Sequence, residues 1–140
     1  MKRLGKLNYV LMAAMLVAGS FIIMSMSYGI MQNWPVPAKY KTMKNTKAGA
    51  KDAEAVGKTL FTQHCASCHG TKGAGDGKKA AMLKTEMRNW STQAVQAQTD
   101  GELYYKSFVG KGEMPNFEKK IAAEGDRWLL INFIRTLKKK

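Results

Sequence analysis

The chain has 140 residues, which is enough for one small folded domain and a short additional segment but not for a large multidomain enzyme. Lysine and arginine outnumber aspartate and glutamate by 23 to 10, so the net charge is +13 at pH 7. Such a surface favours an acidic protein partner or an anionic membrane face. We do not expect nucleic acid as a partner, because the positive residues are scattered and the aromatic residues have the spacing of core residues.

The chain opens with an apolar segment that follows a short basic flank. The nearly uninterrupted apolar run at residues 9–31 is long enough to form a helix across a bilayer core of about 30 Å. The basic flank predicts that the amino terminus stays in the cytoplasm and the rest is translocated. A cleaved signal peptide is the competing interpretation of residues 1–32. We favour a retained anchor, because the candidate cleavage signals are weak. Both interpretations place the domain on the periplasmic side of the cytoplasmic membrane.

Residues 33–51 are predicted to form a linker. They contain two prolines, which favour extended backbone, and several lysines, which favour water or lipid headgroups. The folded domain is therefore predicted to occupy residues 52–140.

The first helix of this domain has an apolar face. Residues on that face recur at helical spacing: Ala53, Val56, Gly57, Leu60, Phe61 and His64. A glycine inside a helix costs about 1 kcal/mol relative to alanine. We therefore expect that the missing side chain of Gly57 lets a second helix cross closely.

The middle of the domain is predicted to be mostly loop. Four glycines between residues 70 and 77 indicate a loop, and a short helix is expected around residues 78–83. Thr99 and Glu102 fit a capping box, which predicts a helix that Gly110 ends.

The last helix is predicted to start at Asp126 and to run from residue 127 to about residue 138. It is apolar on almost all sides, so it must be packed on several sides in a small domain. No strand pattern competes with these helices. The predicted fold class is all-α.

One short motif carries the chemistry. Cys65, Cys68 and His69 form C-x-x-C-H, the pattern of covalent haem c attachment. The two thiols can add to the two vinyl groups of haem, and the adjacent histidine is then the proximal iron ligand. His64 precedes the motif and is expected to be a helix-face or surface residue.

Two other chemistries use closely spaced cysteines. A zinc site would need all four cysteine and histidine residues, and their crowding within residues 64–69 makes tetrahedral closure poor. A thioredoxin-like dithiol usually accompanies a βαβ pattern, which this sequence lacks.

Met114 is the candidate distal iron ligand. It lies in the sequence G-E-M-P-N-F at residues 112–117, where glycine allows a bend and proline stiffens the chain. A methionine opposite a histidine raises the reduction potential and closes the iron to outside ligands. Of the other methionines in the domain, Met82 and Met87 are expected to fill the core.

With these residues in hand, the chain resembles the class I mono-haem cytochromes c. More narrowly, it resembles the small exported cytochromes found beside or within bacterial respiratory complexes. The resemblance covers about residues 50–140 and rests on four segments: C-A-S-C-H-G (65–70), G-x-G-D-G (73–77), M-P-x-F (114–117) and D-R-W…N-F-I-R (126–135).

The resemblance implies that the first and last helices cross near a glycine and aromatic residues. Gly57 and Phe61 would match on the first helix, and Trp128 and Phe133 on the last. Trp90 resembles a family position near a haem propionate, and a plain core role is the alternative.

The function that follows is single-electron transfer by one covalent haem c in a respiratory or related chain, as a free shuttle or as a subunit of a larger membrane complex. The chain would be an electron carrier and not an enzyme. Its lysines would dock an acidic redox partner, and the candidates are Lys72, Lys78, Lys79, Lys111, Lys119 and Lys120. The alternative is a haem enzyme or gas sensor with an open distal site, which requires that Met114 does not bind iron.

Overall fold

The computed structural model describes residues 34–139, and the predicted anchor or signal segment at residues 1–32 lies outside them. The contacts divide the chain after Pro35, and Val36–Lys140 form one compact unit. In the described part, no helix is both long enough and apolar enough to cross a bilayer.

Helices provide the regular structure of residues 34–139. In chain order they are α1 (Ala38–Lys41), α2 (Ala53–His64), α3 (Ala66–His69), a 3₁₀ turn (Ala80–Met82), α4 (Gln93–Gln96), α5 (Asp100–Tyr104), a π-helical segment (Tyr105–Val109) and α6 (Glu124–Thr136). These residues contain no β-strand, and only Lys111 and Met114 form an isolated antiparallel pairing. The all-α prediction is confirmed.

Within residues 34–139 the two longest helices, α2 and α6, pack against each other. A Cβ atom at Gly57 would lie 2.3 Å from the carbonyl oxygen of Leu129 and 2.7 Å from the Cβ of Phe133. Only a glycine therefore lets the helices approach this closely. Phe61 packs on Phe133 with a centroid separation of 5.2 Å, and Trp128 on α6 is fully buried. The expected crossing at Gly57 is confirmed.

Helix α6 begins at Glu124, ahead of the predicted start at Asp126. The carboxylate of Glu124 accepts a hydrogen bond of 3.1 Å from the indole nitrogen of Trp128. An acidic side chain in the first turn also suits the positive end of the helix dipole. Both effects favour the earlier start, which the periodicity of the apolar residues does not reveal.

The capping box at the start of α5 is confirmed. The amide of Glu102 donates to the Thr99 hydroxyl at 3.2 Å, and the amide of Thr99 donates to the Glu102 carboxylate at 2.8 Å. The helix continues as the π-helical segment and ends at Gly110, whose φ is +75°. The short helix expected around residues 78–83 is only the 3₁₀ turn Ala80–Met82.

The segment predicted as a linker packs on the domain from Val36 onward. Val36 itself is buried, and the ring of Tyr40 lies 4.6 Å from that of Tyr105. The side-chain amide of Asn45 donates to Asp100 at 2.9 Å and to Asn132 at 2.7 Å. These contacts give residues 36–51 a defined path instead of the expected extended linker. Asn45 alone makes two of these contacts, and the amino-acid composition of residues 36–51 does not predict them.

The close crossing of α2 and α6 predicts opposite effects of alanine at two helical glycines. Gly57→Ala should lower the free energy of unfolding by roughly 1–3 kcal/mol, since its new methyl group meets backbone that cannot rotate away. Gly125→Ala in α6 is the matched control, because its methyl group meets only the flexible end of Lys47 at 3.2 Å. It should be neutral or stabilising by up to about 1 kcal/mol. Urea unfolding followed by circular dichroism measures both, and equal effects would contradict the close crossing.

Candidate functional site

The C-x-x-C-H motif lies in a tight turn at the end of α2. The amide of Cys65 donates to the Phe61 carbonyl at 2.8 Å, and the amide of His69 donates to the Cys65 carbonyl at 2.9 Å. The backbone therefore stays helical across the motif as α2 passes into α3. The two cysteines are not joined in a disulfide, and Cys65 is buried while Cys68 is half-buried. The turn thus carries two thiols and an imidazole on one short stretch of backbone.

The His69 side chain is buried without a hydrogen-bonding partner. It is 7% exposed, and within the described residues neither Nδ1 nor Nε2 has a partner. Burial lowers the pKa of His69 to about 4, so the ring is neutral at pH 7. An unsatisfied buried polar group costs about 1–3 kcal/mol. A neutral imidazole with an unpaired nitrogen is also the form that binds a metal ion.

Trp90 lies against this imidazole. The two ring centroids are 4.1 Å apart and the planes are inclined by 39°. Trp90 is 9% exposed and also packs edge-on against Phe61 at 5.7 Å. Its position is consistent with the plain core role, and its contact with the predicted iron ligand was not anticipated from the sequence.

The glycine-rich loop after the motif returns to the turn. The amide of Gly75 donates to the His69 carbonyl at 2.8 Å, and the amide of Gly77 donates to the Cys68 carbonyl at 3.2 Å. Gly70 has a φ of +77°, and a Cβ there would lie 1.8 Å from Oδ1 of Asp76. The amide of Trp90 donates to Gly73 at 2.7 Å. The loop therefore holds both His69 and Trp90 in place.

The Met114 segment is a closed turn. The amides of Lys111 and Met114 donate to each other's carbonyls at 3.0 and 3.1 Å, and the amide of Phe117 donates to Phe108 at 2.8 Å. At Gly110 a Cβ would lie 2.4 Å from the Met114 carbonyl oxygen, so this positive-φ position needs glycine. The Met114 side chain packs against the buried cluster that includes Cys65 and Trp90. Met114 and His69 thus border the same interior.

Met82 and Met87, which were both expected to fill the core, differ in their burial. Met82 is 81% exposed at the 3₁₀ turn, so its expected core-filling role is wrong. Met87 is half-buried and packs closely against Gly75, where a Cβ atom would lie 2.6 Å from the Met87 carbonyl oxygen. His64 is half-buried with its ring 6.1 Å from that of Phe117, which agrees with the helix-face role.

Glu113, the neighbour of Met114 in the chain, makes contacts that the sequence analysis did not predict. Its carboxylate accepts hydrogen bonds from the amides of Lys84 at 3.0 Å and Thr85 at 2.8 Å. The hydrogen bond from the Lys84 backbone, followed by those from Thr85, lowers the pKa of Glu113 below its usual value. No sequence motif marks this contact, because its partners are backbone groups 28 and 29 residues away.

The two other chemistries for this motif fit the geometry poorly. In the described range, no three side chains of histidine, cysteine, aspartate or glutamate form a group that could hold a metal ion, as a zinc site would require. Burial, and the neighbouring Cys68, raise the pKa of the Cys65 thiol to about 12. A redox-active dithiol needs a lowered thiol pKa instead.

Comparison with known protein families decides the identity. The model of the family described as Cytochrome c matches residues 54–138. The chain belongs to the cytochrome c family. A search of curated proteins finds no match. Membership implies one covalently bound haem c, and Cys65 and Cys68 fit its attachment motif.

The residues of this cytochrome c domain fit haem. Two free thiols are available for its vinyl groups, and the orphaned nitrogens of His69 provide a ligand for iron. Members of the family generally carry electrons. The six lysines proposed for docking are all exposed: Lys72, Lys78, Lys79, Lys111, Lys119 and Lys120.

Covalent attachment at both cysteines predicts a spectral change when one is removed. In Cys68→Ala one vinyl group would stay conjugated with the porphyrin, so the α band of the pyridine haemochrome should move to longer wavelength. Ser67→Ala is the matched control and should keep the wild-type band, since Ser67 is exposed and carries no thiol. An unshifted band in Cys68→Ala would show that Cys68 is not attached to haem.

Proposed function

We propose that the chain transfers single electrons through one covalent haem c whose iron is held by His69 and Met114. The observation that carries the proposal is the buried imidazole of His69, whose two nitrogens lack partners in the described structure. Iron coordination would satisfy one nitrogen and remove the cost of burying it unpaired.

His69 is well prepared to act as the proximal ligand. Its amide and its carbonyl are both hydrogen-bonded, to Cys65 at 2.9 Å and to Gly75 at 2.8 Å, and its ring rests on Trp90. Its lowered pKa means that no proton has to leave before a metal binds. The side chain therefore needs little reorganisation to coordinate iron.

Met114 is the proposed distal ligand. Its turn is closed by reciprocal backbone hydrogen bonds, and its side chain packs against the buried cluster shared with Cys65 and Trp90. Bound haem supplies a one-electron iron couple, and a thioether opposite histidine raises its reduction potential. If His69 and Met114 both held the iron, they would leave no position open to outside ligands.

The cellular setting is part of the proposal. The apolar run and its basic flank support export, with the domain on the periplasmic side of the cytoplasmic membrane and an anchor retained at residues 1–32. Work in a respiratory or related chain, alone or within a membrane complex, agrees with this placement and with the carrier role of the family.

The partner is proposed to be an acidic redox protein. The chain carries a net charge of +13, and the six candidate lysines are exposed and lie, in the sequence, within or beside the glycine-rich loop at residues 70–77 and the Met114 segment at residues 112–117. Opposite charge on the partner would accelerate encounter without adding much affinity.

Distal coordination by Met114 predicts how the ferrous protein responds to carbon monoxide. The wild type should resist carbon monoxide, and Met114→Ala should bind it rapidly because the distal position becomes open. Met82→Ala is the matched control, since Met82 is 81% exposed and should not affect the iron. Stopped-flow absorbance measures all three. Rapid binding by the wild type would favour an enzyme or gas sensor with an open distal site.

The basic surface predicts opposite salt effects with oppositely charged redox agents. Oxidation of the ferrous protein by ferricyanide, an anion, should slow as ionic strength rises from about 0.01 to 0.5 M, where the Debye length falls several-fold. Oxidation by a cationic cobalt complex should accelerate over the same range. Stopped-flow rates that are flat for both reagents would refute electrostatic steering by the lysines.

A further inference from the structure

The turn that carries Met114 is defined internally, but its tip has little packing. A Cβ atom on Gly112 would meet nothing within 4 Å, and Gly112 and Glu113 are both exposed. The reciprocal hydrogen bonds between Lys111 and Met114 fix the shape of the turn. They do not fix where the turn lies relative to the His69 side of the site.

Glu113 connects this turn to another part of the site. Its two carboxylate oxygens each accept one backbone hydrogen bond, Oε1 from Lys84 at 3.0 Å and Oε2 from Thr85 at 2.8 Å. Hydrogen bonds to an ionised carboxylate are stronger than those between neutral groups, and a paired arrangement also fixes orientation. The residue next to Met114 is therefore held by two consecutive amides.

Those amides belong to a segment that is itself joined to the haem-attachment motif. Before them, the amide of Lys79 donates to the Ser67 carbonyl at 2.8 Å. After them, the amide of Trp90 donates to Gly73 at 2.7 Å, and the Trp90 ring lies on His69. Residues 79–90 thus link the His69 side of the site to the Met114 turn through Glu113.

We propose that Glu113 is a positioning residue that holds the Met114 thioether at the distal iron position by clamping its turn to Lys84 and Thr85. The proposal rests on Met114 being the distal ligand, as proposed above. Glu113 does not touch iron. Its hydrogen bonds limit how far the Met114 turn can move away from the C-x-x-C-H motif. Met114 therefore dissociates from the iron more slowly.

The rate at which imidazole displaces Met114 from ferric haem tests this role in the haem-loaded protein. At high imidazole concentration this rate is limited by the departure of Met114 from iron. Loss of both hydrogen bonds in Glu113→Ala should raise the limiting rate about tenfold. Glu113→Gln keeps one acceptor oxygen and should raise the rate by about threefold.

Glu86→Ala is the matched control, because Glu86 is an exposed carboxylate on the same segment and accepts no hydrogen bond from the residues that the structure describes. It should displace Met114 at the wild-type rate. Equal limiting rates in Glu113→Ala and the wild type would overturn the proposal. An equally large increase of the limiting rate in Glu86→Ala would also overturn it. Loss of one negative charge anywhere on the segment would then explain the faster displacement of Met114.

Hydrogen exchange separates this proposal from the question of ligation. In the ferrous protein, the amides of Lys84 and Thr85 should exchange about tenfold faster in Glu113→Ala than in the wild type or Glu86→Ala. Unchanged exchange would overturn the clamp whatever binds the iron. If Met114→Ala leaves the ferric charge-transfer absorption unchanged, Met114 is not the distal ligand and the proposed function fails on that point. The exchange of the Lys84 and Thr85 amides then still shows whether Glu113 holds the turn.

Discussion

An imidazole that is 7% exposed and lacks a hydrogen bond at both nitrogens is an unstable arrangement unless another group satisfies it. His69 is in this state, although its own backbone is hydrogen-bonded on both sides and its ring lies against Trp90. Two cysteine side chains that form no disulfide lie in the same turn. Covalent haem attachment would use both thiols to hold the porphyrin, and its iron would pair with one of the two imidazole nitrogens.

The rest of the fold positions that imidazole and the turn that carries Met114. The crossing of α2 and α6 at Gly57 sets the direction in which α2 delivers Cys65 and His69. Trp90 reaches His69 from a segment that is also hydrogen-bonded to Glu113. The two predicted iron ligands are therefore connected through backbone hydrogen bonds and one carboxylate.

Sequence patterns predicted the features that depend on local spacing. The helical period predicted α2, the motif predicted the attachment turn, and the Thr99 and Glu102 pair predicted the start of α5. Features that depend on distant polar contacts were not predictable in this way. The packing of residues 36–51 depends on Asn45 meeting Asp100, and the Glu113 clamp depends on amides that carry no side-chain signal.

The central claim is that His69 and Met114 bind the same iron from opposite sides. Near-infrared magnetic circular dichroism of the ferric, haem-loaded protein tests it most directly, because the position of the porphyrin-to-iron charge-transfer band depends on the pair of axial ligands. We predict the band of a histidine–methionine pair. A band typical of histidine with water, lysine or a second histidine would contradict the account.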